Sequence, residues 1–135
     1  MVSIRNKALT SRRLAQKVAQ LADHKKAGDI VILDMRGLVN FCDYFVLTSG
    51  TSDRQVHAIA DGIKEGLSEL GVQMHSGRSF KSLEASLDSP GAWVFLDMGD
   101  VVVHVFDPHA RKFYGLEHLW QDASSIVYKR AKKKV

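Results

Sequence analysis

The chain has 135 residues, 45% of them hydrophobic and 25% charged, which is material for one hydrophobic core and not for two. No apolar run approaches the roughly 20 residues that span a bilayer, and no apolar signal-peptide core follows the start, so neither membrane insertion nor secretion is indicated. The net charge of +4 is unevenly spread: Arg5, Lys7, Arg12, Arg13 and Lys17 precede the first acid, Asp23, and Lys129, Arg130, Lys132, Lys133 and Lys134 follow the last, Asp122, leaving nine basic against 15 acidic residues between them. Such an acidic body repels a phosphate backbone and attracts basic surfaces, so a basic protein suits it better than naked nucleic acid, while the basic ends remain suited to RNA. The single Cys42 has no partner for an internal disulfide and sits among Phe41, Tyr44 and Phe45, which reads as packing in a reducing, cytoplasmic compartment.

Leu14, Ala15, Val18, Leu21 and Ala22 form one stripe of an amphipathic helix that Thr10 or Ser11 would cap. Its acid-free, Arg-bearing start also resembles part of an organellar transit peptide, although the helix leads almost directly into the folded body. Ile30–Met35 and Tyr44–Thr48 read as central strands on either side of a turn region at Arg36-Gly37. Ser52 stands three residues before Gln55, a capping-box spacing, and Val56, Ile59, Ala60, Ile63, Leu67 and Leu70 then fall at helical intervals until Gly71. Val72–His75 is expected to form a third strand. Ser76–Gly91 reads as a long polar connection, with a helical turn at 80–84. Two further strands are expected near 93–97 and 100–106, reversing at Met98-Gly99 where glycine supplies the positive φ of a tight hairpin. Asp107-Pro108 opens a short helical region whose Leu116, Leu119 and Trp120 would cover the sheet. The expected order is α-β-β-α-β-β-β-α, one α/β domain over 1–122, followed by a flexible basic tail over 123–135.

Few residues carry a recognisable chemistry. Ser49-Gly50-Thr51-Ser52 joins a strand to a helix N-terminus, where free N–H groups would hold an anion, but neither a Walker loop nor a dinucleotide glycine pattern is present. Metal-dependent nucleotidyl transfer wants two carboxylates projecting together from a strand, whereas Asp97 and Asp100 lie three apart across a turn. Asp61 and Glu65 share a helix face with Lys64, as a solvated surface does. His24, His57, His75, His104, His109 and His118 include no pair at metal-binding spacing, so neither metal nor cofactor is expected. His104 stands out in a Val-rich strand, where burial demands a hydrogen-bond partner. Trp93 and Phe95 share one face of their strand. Core packing explains them, yet the partner strand is apolar on both faces and a small domain does not bury every such residue. An aromatic patch with Met98 and a rim of carboxylates then makes a protein interface.

Several motifs in series resemble one family. Asp43-Tyr44-Phe45-Val46, Ser49-Gly50-Thr51-Ser52-Asp53-Arg54-Gln55-Val56, Ala58-Ile59-Ala60-Asp61, Trp93, Leu96-Asp97, Gly99-Asp100-Val101-Val102-Val103-His104-Val105-Phe106, Tyr114, Leu116-Glu117 and Leu119-Trp120 are similar to the ribosomal silencing factor, or Iojap-like, family over residues 10 to 122. The resemblance implies a mixed five-stranded sheet flanked by helices, nucleotidyltransferase-like without its catalytic carboxylates. It also implies a non-enzymatic factor that binds the large ribosomal subunit through large-subunit protein fourteen and blocks joining of the small subunit when nutrients are scarce. Organellar relatives aid large-subunit assembly, and relatives form homodimers. The family's interface positions fall on Trp93 and Met98, with Asp97, Gly99 and Asp100 as neighbours. The chain departs from the family in having Ser76-Gly77 where Glu-Gly is usual, a longer segment up to Pro90, and a basic tail suited to ribosomal RNA. An enzyme that binds phosphate or transfers nucleotidyl groups at Ser49–Asp53 is the competing expectation.

Overall fold

Thr10 and Ser52 start the helices by the same physics. Each side-chain oxygen accepts a first-turn N–H, from Arg13 and from Gln55 respectively, both at 3.2 Å, which satisfies one of the donors every helix leaves unpaired at its start. Helix α1 follows over Ser11–His24 and α2 over Asp53–Glu69. The computed structural model describes residues 10–72, 76–79, 93–107 and 123–128. Its strands are β1 (Gly28–Asp34), β2 (Tyr44–Ser49), β3 (Ser76–Ser79), β4 (Trp93–Asp97), β5 (Val101–Phe106) and β6 (Ser124–Val127).

Both helices end with the chain turned into the left-handed region. Gly71 does so after α2 at φ 77°, with Val72 N–H donating to the Leu67 carbonyl at 2.9 Å. After α1 the residue in that place is Lys26, at φ 63°, and Ala27 N–H reaches back to the Ala22 carbonyl at 3.1 Å. Gln55 ties the two ends together. Its Nε2 donates to the carbonyls of Lys25 and Lys26, at 3.3 and 3.1 Å, while its Oε1 accepts the Thr51 N–H at 2.6 Å. The capping-box spacing is therefore used, with Gln55 reaching one residue further back than Ser52.

The strands form one mixed sheet in the order β3-β4-β5-β2-β1-β6, in which only the β2–β5 pair is parallel. Every residue of β2 and β5 is buried, as expected of continuous apolar runs at the centre of a sheet. The period of two then sorts the side chains. Ile32, Tyr44, Val46, Val94, Leu96, Val101, Val103 and Val105 face the helices and pack with Val18, Ile59, Ile63 and Leu67. Leu33, Phe45, Leu47, Val102 and Phe106 face the opposite side, where Met35 and Cys42 join them and Val31, Val39, Trp93 and Phe95 are half-buried.

The α/β class and mixed sheet are as expected, with two differences. Residues 73–75 of the expected Val72–His75 strand lie outside the described residues, and a strand is present at Ser76–Ser79, inside the segment read as a polar connection; its main chain pairs with β4, Ser76 opposite Asp97 and Ser79 opposite Val94. The sheet also has a sixth strand, Ser124–Val127, taken from the segment read as tail. It pairs with β1, Ile126 packs against the helix-side core, and the Tyr128 hydroxyl donates to Asp23 of α1 at 3.2 Å. The expected turn at 80–84, the helical region over 108–120 and the tail over 129–135 lie outside the described residues.

Candidate partner-binding site

The β4–β5 turn consists of Gly99 and Asp100, one residue later than the Met98-Gly99 reversal suggested by the sequence. Met98 N–H donates to the Val101 carbonyl at 3.0 Å, and Gly99 takes φ 89° at the first loop position, where a side chain would be strained. Asp97 shapes the turn, its Oδ1 accepting the Gly99 N–H at 2.8 Å. The Asp100 carbonyl accepts the N–H groups of Asp43 and Tyr44, at 2.7 and 3.1 Å, so the turn is bolted to the start of β2. Burial pushes the Cys42 thiol up to about 12, and the carboxylates of Asp43, Asp97 and Asp100 push in the same direction, which marks an acidic corner around an inert thiol.

The residues expected at the site do not all meet. Asp97, Gly99 and Asp100 share the turn, with the Asp100 side chain exposed. Trp93 begins the same strand, roughly 13 Å away at the usual rise per residue. It shares its half-buried face with Phe95 and Asp97. Met98 is only 4% exposed and packs in the helix-side core. Because Met98 still pairs with Val101, the strand alternation continues through it, and it follows Val94 and Leu96 inward. It lies beneath the turn rather than on the surface.

His104 has the partner that its burial demands. The Trp93 Nε1–H donates to His104 Nδ1 at 3.1 Å, so the neutral imidazole carries its own proton on Nε2, and Nε2 has no partner among the described residues. The ring is 5% exposed, lies parallel to Phe106 at 5.9 Å and receives Phe45 edge-on at 4.9 Å. Trp93 also stacks on Phe106, with centroids 5.4 Å apart. Burial pushes the His104 pKa down to about 3. The unfolded chain, with a histidine near 6.5, then binds the extra proton between pH 6.5 and 3, so this contribution to stability is present above that window and lost on acidification. Urea titrations of wild type and His104→Phe should diverge by up to about 1.4 kcal/mol per pH unit between pH 6 and 4, the wild type losing more. Parallel curves would place the imidazole in water.

The strand-to-helix loop is occupied by its own chain. Gly50 N–H donates to the Phe106 carbonyl at 2.8 Å, Thr51 N–H to Gln55, and Gln55 N–H to Ser52. A Cβ on Gly50 would stand 2.9 Å from the Val56 backbone nitrogen, so the glycine serves close approach of the strand end to the helix. Asp61 pairs with Lys64 at 3.9 Å on an exposed face. Among the described residues no group of three or more His, Cys, Asp and Glu side chains is arranged for a metal ion, and no helix is long and apolar enough to cross a membrane.

Sequence reasoning missed the loop between β1 and β2. Phe41 is 59% exposed and Leu38 is exposed beside it, near the acidic turn that Asp43 helps to hold. Arg36 grips Asp34 through two bonds, at 2.9 and 2.7 Å, and lies over the Tyr44 ring. The only signal was two large apolar residues in a segment without strand or helix period.

These features define an α/β domain in which Thr51, Ser52 and Gln55 at the strand-to-helix loop and Asp97 at the hairpin shape the backbone, with an aromatic cluster on the sheet face away from α1 and α2. The chain belongs to the ribosomal silencing factor family: the family model described as "Ribosomal silencing factor during starvation" matches residues 8–135. It is 40% identical over 115 residues to the ribosomal silencing factor RsfS of Bacillus subtilis, covering 85% of this chain and 91% of the relative. It is 28% identical over 103 residues to the mouse "Mitochondrial assembly of ribosomal large subunit protein 1", covering 76% of this chain and 43% of that longer protein. A crystal structure of a Chromobacterium violaceum protein superimposes with a TM-score of 0.74 at 28% identity, over 91% of this chain and 95% of that one.

Proposed function

We propose that the protein binds the free large ribosomal subunit through its protein fourteen and occupies the face where the small subunit docks, lowering translation under nutrient limitation. The action is steric, cytoplasmic and non-enzymatic, and it requires no cofactor. The carrying observation is the half-buried Trp93 on the same strand face as Asp97, leading to an acidic turn: an aromatic anchor with a charged rim suited to a basic ribosomal protein. Family membership and the large-subunit role in the mouse relative's name support the same reading. The basic residues from Lys129 to Lys134 would add a contact to ribosomal RNA. The competing enzyme reading at Ser49–Asp53 is disfavoured because the Gly50, Thr51 and Gln55 N–H groups already have protein acceptors.

Density-gradient sedimentation tests the proposal. The protein should travel with isolated large subunits, be absent from small subunits and intact ribosomes, and reduce the joined fraction when small subunits are added. Its association rate should fall as salt rises, because the acidic body and a basic target attract through screened charge. Equal sedimentation with small subunits would overturn the reading.

A further inference from the structure

We propose that His104 is a positioning residue for Trp93, holding the indole in the orientation that a partner meets; the inference rests on Trp93 being an anchor of the binding surface. The two residues are diagonal neighbours across the hairpin. Trp93 pairs with Phe106 and His104 with Phe95, so the Trp93 ring lies beside the imidazole on one sheet face. Stacking on Phe106 fixes the plane of the indole but tolerates sliding and turning within that plane, whereas a hydrogen bond is directional. The Nε1–H bond to His104 Nδ1 adds a directional constraint within that plane.

The choice of histidine has no cheaper packing explanation. The ring sits among Phe45, Phe95 and Phe106, surroundings that a phenylalanine or leucine would share without a polar atom. Histidine instead leaves Nε2 buried and unpartnered among the described residues, a feature that destabilises the fold. What it provides in return is a neutral acceptor at Nδ1, aimed at the indole. An indole held in place before binding loses less side-chain freedom when the partner arrives, which favours affinity without adding a contact.

The test uses the full chain with His104→Phe and His104→Leu, which remove the acceptor, and His104→Asn, whose amide oxygen can stand near the Nδ1 position. Affinity for isolated large subunits, the melting temperature and the indole N–H resonance of Trp93 are measured together; Trp93→Phe assigns that resonance against Trp120. The acceptor-less variants should fold, bind about two- to tenfold more weakly and show a displaced, faster-exchanging Trp93 N–H, while His104→Asn recovers most of both. If both acceptor-less variants bind like wild type while Trp93→Ala does not, His104 is not a positioning residue and the anchor stands. If Trp93→Ala binds normally, the surface reading fails first and the inference with it. Weak binding by all three variants in proportion to lowered melting temperatures would make His104 a packing residue and overturn the proposal.

Discussion

Trp93→Ala is expected to weaken binding to large subunits at least about thirtyfold while leaving a folded protein. Truncating an aromatic anchor in an interface typically costs about 2 kcal/mol or more, which is the thirtyfold figure. Trp93 is half-buried, so the variant also loses stacking on Phe106, and its melting temperature should fall by less than the about 3–5 kcal/mol typical of a fully buried aromatic would produce. Lys132→Ala is the control. A single charge outside the expected anchor is expected to change affinity little, because rim charges of an interface cost less on truncation than its central aromatics. Measuring affinity beside melting temperature separates anchor from core. A severely destabilised Trp93→Ala would make Trp93 a core residue, and normal binding by it together with lost binding on deletion of residues 129–135 would move the interface to the tail.

Much of the fold was legible because the chemistry that starts and stops its elements is local. Thr10, Ser52 and Gly71 each work within a few residues of themselves, and the helical stripes of α1 and α2 state which face is buried. Strands β2 and β5 announce themselves as runs of apolar residues. The edge strands do not. Ser76-Gly77-Arg78-Ser79 contains no large apolar residue and is recruited by main-chain pairing with β4, and Ser124–Val127 has only Ile126 and Val127 to suggest a strand. An edge strand draws its order from a neighbour that sequence periodicity does not contain.

The site was less legible for the same reason. Trp93 and His104 are individually conspicuous, but their hydrogen bond depends on hairpin register, and placing the turn one residue early shifts every cross-strand partner. With Gly99 and Asp100 in the loop, Trp93 pairs with Phe106 and reaches His104 diagonally. The exposed Phe41 lies in a loop whose path is set by main-chain bonds, including Met35 N–H to the Asp43 carbonyl at 2.8 Å, which no sequence spacing announces.

The register also decides Met98, which family resemblance led one to expect at the interface and whose position follows from strand alternation. Met98→Glu is expected to abolish binding by unfolding the protein. The side chain is 4% exposed in a core with Val94, Leu96 and Val101, so the substitution removes a buried apolar group and puts a carboxyl there without a partner. Glutamate is close to methionine in size, so the cost is desolvation of a buried carboxyl without a partner, on the order of several kcal/mol, which rivals the whole stability of a small domain. Met98→Leu keeps the volume and apolar character, so it should cost under about 1.5 kcal/mol and leave binding near wild type. The decisive comparison is the melting curve of Met98→Glu. A cooperative transition near the wild-type temperature, combined with lost binding, would require the side chain to point outward and would return Met98 to the contact surface; a lost or greatly lowered transition assigns its effect to the core beneath the turn, and leaves Trp93 and the acidic residues of the turn to meet the partner.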